Sequence, residues 1–273
     1  MIAWADGAFA AGDAPVFAAT DRGAILGDGV FETVKTVDAT PVFLDAHLAR
    51  MGEAARALDL ALDKGVVRAG VAEVLTRAKG LGALRLTVTR GSGGRGLAPI
   101  PLADQRPRVV VTWAPMPPPG DAPVRLFVSS VRRNPSAPSC RHKTLSYADA
   151  AFARAEAARM GADDAVMRGP RGDAACASIG NLWARTKDAF VTPPLSAGVL
   201  PGIVRQMLLR AGEAGGLPVR VGRIGPDALH RWPLYRSNSL TGVQRCWLPG
   251  GVRPPPDNPL GALYAALEAE ALR

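Results

Sequence analysis

The residues best suited to chemistry gather around one lysine. Arg141-His142-Lys143-Thr144-Leu145-Ser146-Tyr147 runs directly into an alanine-rich helical stretch. The chain has few lysines (35, 64, 79, 143 and 187) and many arginines. Where it needs only positive charge it uses arginine. A lysine at a loop-to-helix junction therefore raises a chemical question, because a primary amine can form an imine with a carbonyl cofactor and a guanidinium cannot. Ser146 reads as the cap of the following helix, with Asp149 completing a capping box three residues on. That would fix the backbone after Lys143 and aim its side chain. Taken alone, the stretch reads more readily as an ordinary exposed lysine.

The elements around it come from pattern. The chain has 273 residues, 48 % of them hydrophobic and 21 % charged. This is enough for an ample core and, at about 150 residues per domain, for two domains. No apolar run approaches the ~20 residues that cross a bilayer. The first residues lack the basic and apolar regions of a secretory signal, so a cytoplasmic location is expected. Cys140, Cys176 and Cys246 are odd in number and widely spaced, which suggests neither disulfides nor zinc and a reducing compartment. The three histidines (47, 142 and 230) have no metal-ligand spacing, so no metal is expected. The net charge of +9 is spread along the chain with few aromatics, which argues against nucleic acid and remains compatible with small anionic ligands.

Short strands are expected at Ile2-Ala3-Trp4 and Pro15-Val16-Phe17, and further strands over 30–37, 84–90, 108–113, 124–130, 163–168 and 217–223. Helices are expected from Asp45, a plausible N-cap, through Leu60, and over 64–79, 146–160 and 258–271. Gly91-Ser92-Gly93-Gly94-Arg95-Gly96 satisfies G-x-G-x-x-G, but the proline-containing stretch that follows cannot start the helix a dinucleotide site requires. The prolines of 115–119 form a stiff linker. The expected domains are residues 1–115 and 124–273, with 116–123 between them and Lys143 in the second. Pro201 suits a first helical turn, and free amides at such a helix start bind anions.

Five stretches in this order resemble the class IV aminotransferases, the pyridoxal-phosphate (PLP) enzymes of fold type IV. Asp21–Lys35 is similar to the family's "DRG…GDGVFET" entry and Lys143–Tyr147 to its "lysine-Thr-Leu-Asn-Tyr" segment. Cys176–Trp183 is similar to the "TEGSxSNIF" strand, Leu200–Arg205 to the helix start, and Arg236–Val243 to a lyase-type "TNSLxGV" segment. The resemblance implies an α+β, two-domain, D-amino-acid aminotransferase-like fold, with a small N-terminal α/β domain and a larger, barrel-like C-terminal one. It implies that Lys143 carries PLP, with Thr33 beside it as a second catalytic residue. Arg50, Ile203, Val204 and Ser239 would hold the phosphate, and Tyr147 and Cys176 would lie against the cofactor. Arg95, Asn238 and Phe31 would meet a small amino substrate bearing a carboxylate. A homodimer is implied as well. One position departs from the family pattern: the glutamate that meets the cofactor's ring nitrogen is replaced by Cys176, while Asp173 is three residues away. A thiol with a pKa of ~8.5 supplies no such negative charge near neutral pH.

Within the family, Thr33, the Gly91–Gly96 loop and Asn238 together resemble 4-amino-4-deoxychorismate lyases, which release 4-aminobenzoate and pyruvate in folate synthesis. An aminotransferase acting on branched-chain or D-amino acids is the second expectation. A PLP-binding relative with little activity is the third, and an anion- or nucleic-acid-binding module the outsider.

Overall fold

Strand alternation in the first third of the chain builds one antiparallel sheet. The computed structural model describes residues 1–273, which divide into two units: Met1–Pro118 with His142–Ser146, and Pro119–Arg141 with Tyr147–Ala271. The first unit contains β1 (Ile2–Ala5), β2 (Ala8–Ala10), α1 (Arg22–Leu26), β3 (Gly29–Val37), β4 (Thr40–Pro41), α2 (Leu44–Ala57), α3 (Lys64–Leu75), β5 (Gly82–Thr89) and β6 (Arg108–Pro115). Its strands lie in the order β2-β1-β6-β5-β3-β4. Val30 and Val34 on β3, Leu84, Leu86 and Val88 on β5, and Val109, Val111 and Trp113 on β6 share one face. They pack against Leu48 and Met51 of α2 and Val67, Val71 and Val74 of α3. Each such side chain contributes about 1.5–3 kcal/mol on full burial. The opposite parity, Phe31, Thr33 and Lys35 on β3 with Arg85 and Thr87 opposite on β5, therefore points to the other face.

The second unit contains β7 (Val124–Arg132), α4 (Pro138–Arg141), α5 (Ala148–Arg159), β8 (Asp164–Arg168), β9 (Ala174–Ala177), β10 (Asn181–Arg185), β11 (Phe190–Thr192), α6 (Ile203–Ala214), β12 (Val219–Val221), α7 (Ala228–Arg231), β13 (Leu234–Asn238), β14 (Gly242–Trp247) and α8 (Pro259–Ala271). Strands β9-β10-β13-β14-β7-β8 close into a six-stranded ring, because β9 pairs with both β8 and β10. This is the barrel implied by the family resemblance. Leu126, Val166, Leu182, Leu234 and Cys246 belong to one of its apolar clusters. On α5 the buried residues are Ala150, Ala153 and Ala157, whose small side chains let the helix lie close to Ala165, Met167 and Ala175.

Several local expectations are corrected. Pro15-Val16-Phe17 forms no strand. Asp45 does not cap α2: Phe43 takes that position in the left-handed region, and Asp45 pairs with Arg68 at 2.5 Å. Ser146 is not the cap of α5, which begins only at Ala148 after Tyr147 and has no side-chain cap. The backbone before it is held extended against β3, as described below. Asp63, by contrast, caps α3 by accepting from the amides of Gly65 and Val66.

Candidate active site

Lys143 is positioned by a strand-like pairing with the start of β3. The Phe31 amide donates to the Lys143 carbonyl at 3.0 Å and the Leu145 amide to the Gly29 carbonyl at 2.9 Å, with Val30 and Thr144 paired between them. The glycines of the Gly27-Asp28-Gly29 turn make this approach possible. A Cβ on Gly29 would lie 2.4 Å from the Val88 carbonyl oxygen and 2.8 Å from Leu145 Cδ1. Gly27 has φ +66°, and its Cβ would meet Ser146 Oγ at 2.8 Å. The sequence places Lys143 in the second domain; this pairing puts its segment with the first unit.

The amine then sits over β3. Lys143 Nζ is 4.1 Å from the centre of the Phe31 ring, and Arg85 Cζ is 4.0 Å from the same centre. Either distance is within range of a cation–π attraction. Thr33 lies directly opposite Arg85 in the β3–β5 register. Thr33 is two residues on from Phe31 along the same face of β3, and Lys143 thus shares the Phe31 ring with Arg85, which the sequence does not single out. Its only sequence signal is a charge at an alternating position of a strand whose other face is apolar.

Arg50 belongs to a buried network built on Glu32, the β3 residue between Phe31 and Thr33, and the Lys143 charge reaches its His47. Its Nε and Nη2 donate to Glu32 Oε1 and Oε2 at 2.8 and 2.6 Å, and His47 Nδ1 lies 2.7 Å from Glu32 Oε2. Burial alone would raise the Glu32 pKa; the Arg50 charge and the hydrogen bonds from His47 and Arg50 outweigh it and hold the carboxyl at about 2. Burial lowers the His47 pKa. A neutral imidazole facing an ionised carboxylate must carry its proton on Nδ1 and donate it. Glu32 thus takes up one edge of the Arg50 fork and fixes the plane of the other. Read alone, the sequence makes Arg50 a surface helix residue, whereas it is 7 % exposed.

Arg95 lies exposed in the loop after β5, where Gly91, Gly93, Gly94 and Gly96 all have positive φ.

In the second unit, α6 begins at Ile203 after Gly202, with no side-chain cap. Asn181 Nδ2 donates to the Leu200 carbonyl at 2.9 Å, and a Cβ on Gly202 would lie 1.9 Å from Asn181 Oδ1. Ile203 and Val204 are buried, and their amides, as the first of the helix, have no carbonyl of their own to meet. Arg205, also buried, donates to Thr192 Oγ1 and the Pro193 carbonyl, both neutral, and pairs with no carboxylate. Uncapped amides at a helix start suit an anion. Ser239 sits in the β13–β14 turn. Asn238 commits Oδ1 to that turn, accepting from the amides of Leu240 and Thr241, both at 2.9 Å. Cys176 is buried on β9, and desolvation pushes its thiol up to about 11, leaving it neutral. Tyr147 packs at the edge of the same apolar cluster. Asp173 pairs with Arg223 at 2.5 Å, so its charge is committed elsewhere.

Residues 29–246 match the family described as amino-transferase class IV. The chain belongs to this family. Class IV aminotransferases are PLP-dependent enzymes. Among relatives, the chain is 31 % identical over 205 residues to a putative branched-chain-amino-acid aminotransferase of Methanocaldococcus jannaschii, covering 73 % of this chain and 70 % of the relative. It is 27 % identical to a bifunctional aminodeoxychorismate lyase / D-amino acid transaminase of Mycobacterium tuberculosis, covering 100 % of this chain and 99 % of the relative. A solved PLP-bound hypothetical aminotransferase from Mycobacterium tuberculosis superposes with TM-score 0.83 at 25 % identity, over 99 % of this chain and 98 % of that one.

Proposed function

We propose that this class IV enzyme is a PLP-dependent lyase that converts 4-amino-4-deoxychorismate to 4-aminobenzoate and pyruvate. The observation that carries the choice is the neutral, buried thiol of Cys176 at the family's carboxylate position. When bound, PLP supplies an electron-accepting ring joined to the substrate nitrogen, and a ring nitrogen without a carboxylate partner accepts electrons less strongly. Eliminating pyruvate creates an aromatic ring, so this reaction tolerates the weaker acceptor better than transamination does.

The chain's own residues then have separate tasks. Lys143 Nζ would hold the cofactor and would move the proton on the substrate carbon next to nitrogen. Arg50, the amides of Ile203 and Val204, and Ser239 would hold the phosphate, and Tyr147 would flank the cofactor. Thr33 offers a hydroxyl beside Lys143. Phe31 carries the amine on its ring face, Asn238 offers its amide group to the substrate, and Arg95 and Arg85 supply guanidiniums for the two carboxylates of 4-amino-4-deoxychorismate. We place the enzyme in the cytosol as a homodimer. Its three buried, unpaired cysteines suit a reducing compartment, and no helix is long and apolar enough to cross a membrane.

The alternative is an aminotransferase for branched-chain or D-amino acids, a reading favoured by the Methanocaldococcus relative. Paired assays separate the two. Release of pyruvate and 4-aminobenzoate from 4-amino-4-deoxychorismate supports the lyase. Amine exchange that requires 2-oxoglutarate, with no aromatic product, refutes it.

A further inference from the structure

The Asp21-Arg22-Gly23 stretch contributes no atom to the chemistry proposed above, yet its arginine is nearly fully buried at the start of a five-residue helix. The Arg22 guanidinium bridges two parts of the first unit. Nε donates to Asp28 Oδ2 at 2.8 Å, and Nη1 donates to the Gly96 carbonyl at 3.0 Å, 74 residues away. The loop backbone lies directly on it: a Cβ on Gly94 would sit 3.2 Å from Arg22 Nη1. Asp28 is gripped from another side by Arg90, whose Nε and Nη2 reach it at 2.8 and 3.0 Å. Arg90 is itself fixed by the carbonyls of Leu58 and Asp59, both at 2.7 Å. Burial would raise the Asp28 pKa, but the two arginines lower it, so the bridge remains ionic.

The two ends of the loop are held differently. Its start is tied by backbone, with the Arg22 amide donating to the Gly91 carbonyl at 2.9 Å. Its far end is tied by the Arg22 side chain through Gly96, the residue after Arg95. The glycines between have no side chains to pack, and Ile100 beneath Gly93 and Gly94 gives apolar contact without direction. The Arg95 carbonyl accepts from the Ala98 amide at 3.1 Å, which closes a turn within the loop. The directed hydrogen bond from the rigid Arg22 fork to Gly96 is the side-chain tie that anchors this turn to the rest of the unit.

We propose that Arg22 is a positioning residue for substrate recognition: braced by Asp28 and Arg90, it sets where the glycine-rich loop presents Arg95 to a substrate carboxylate. This rests on Arg95 binding that carboxylate, as read above.

The test is a double-mutant cycle on the holoenzyme with Arg22→Met, Arg95→Ala and both together, assayed with whichever amine substrate turns over. Residues coupled in one network show interaction energies that correspond to about tenfold effects. Arg22→Met is expected to raise KM about tenfold with little change in kcat, and to add nothing in the Arg95→Ala background. Effects that multiply in the double variant overturn the proposal. Arg22→Lys keeps the charge and loses the fork, so it should resemble Arg22→Met; a wild-type KM would overturn the orienting role.

A second readout needs no activity. Trypsin cuts after Arg95, and cutting there should become several-fold faster in Arg22→Met, because a less stable loop opens more often. An unchanged rate refutes the brace. Faster cutting together with an Arg95→Ala variant of normal KM would keep the brace but refute the carboxylate role of Arg95, and with it the positioning proposal.

Discussion

Replacing Glu32 by Gln removes one charge and almost no volume from the most buried ionic network of the first unit. Glu32 is fully buried, and lowering its pKa from an ordinary 4.5 to about 2 corresponds to about 3 kcal/mol of preference for the charged form. Breaking a buried pair by removing one partner costs about 3–5 kcal/mol, because the Arg50 charge is left uncompensated. At pH 7, urea unfolding of the cofactor-free variant should therefore show a loss of about 3 kcal/mol. The sign with pH follows. A carboxyl whose folded pKa is depressed stabilises above its unfolded value, and this stability is lost as pH falls from about 4.5 towards 2. The gap between wild type and Glu32→Gln should shrink over that window. A second arm reads function: the variant should lose more affinity for PLP than for pyridoxal, which lacks the phosphate that Arg50 would grip. A gap below about 1 kcal/mol at pH 7 would refute the network's energetic role. Equal losses for PLP and pyridoxal would refute its bearing on the phosphate.

Other expectations follow from the same geometry. Cys176→Glu should shift the visible absorption of the holoenzyme and raise transamination relative to elimination; an unchanged spectrum would mean that position 176 does not face the ring nitrogen. With the Cys176 thiol near 11 and all three cysteines buried, a disulfide reagent at pH 8 should label the native protein slowly and all three thiols after denaturation. Fast labelling of the native protein would contradict that burial. Asp164 accepts from both Arg236 and Ser178 inside the second unit, so Asp164→Asn should destabilise the protein by about 3–5 kcal/mol in a urea melt; a loss under 1 kcal/mol would show the pair to be dispensable.

The sequence makes some of this legible and hides the rest for identifiable reasons. Alternation places β3, β5 and β6 within a residue or two, because their two faces meet different environments. The barrel follows only from family resemblance, since its closure depends on β9 pairing on both sides, and no local pattern reports that. The Ser146 cap fails because Thr144 pairs with Val30 far away in the chain, holding the backbone extended where local capping rules would begin a helix. Glu32 and His47 look like ordinary motif and helix residues until the fold brings them to Arg50. The glycines of Gly27-Asp28-Gly29 mark tight backbone in the sequence; the structure adds that the space they leave is filled by the segment carrying Lys143.

The central claim is that the amine of Lys143 is the attachment point of the cofactor. Borohydride treatment of the protein as purified, followed by peptide mapping, tests this directly. The account predicts a visible absorption band that disappears on reduction and a single phosphopyridoxyl modification on the peptide containing Lys143. A modification at Lys35 or Lys187 instead, or a protein purified from PLP-rich medium with no visible band, would contradict it.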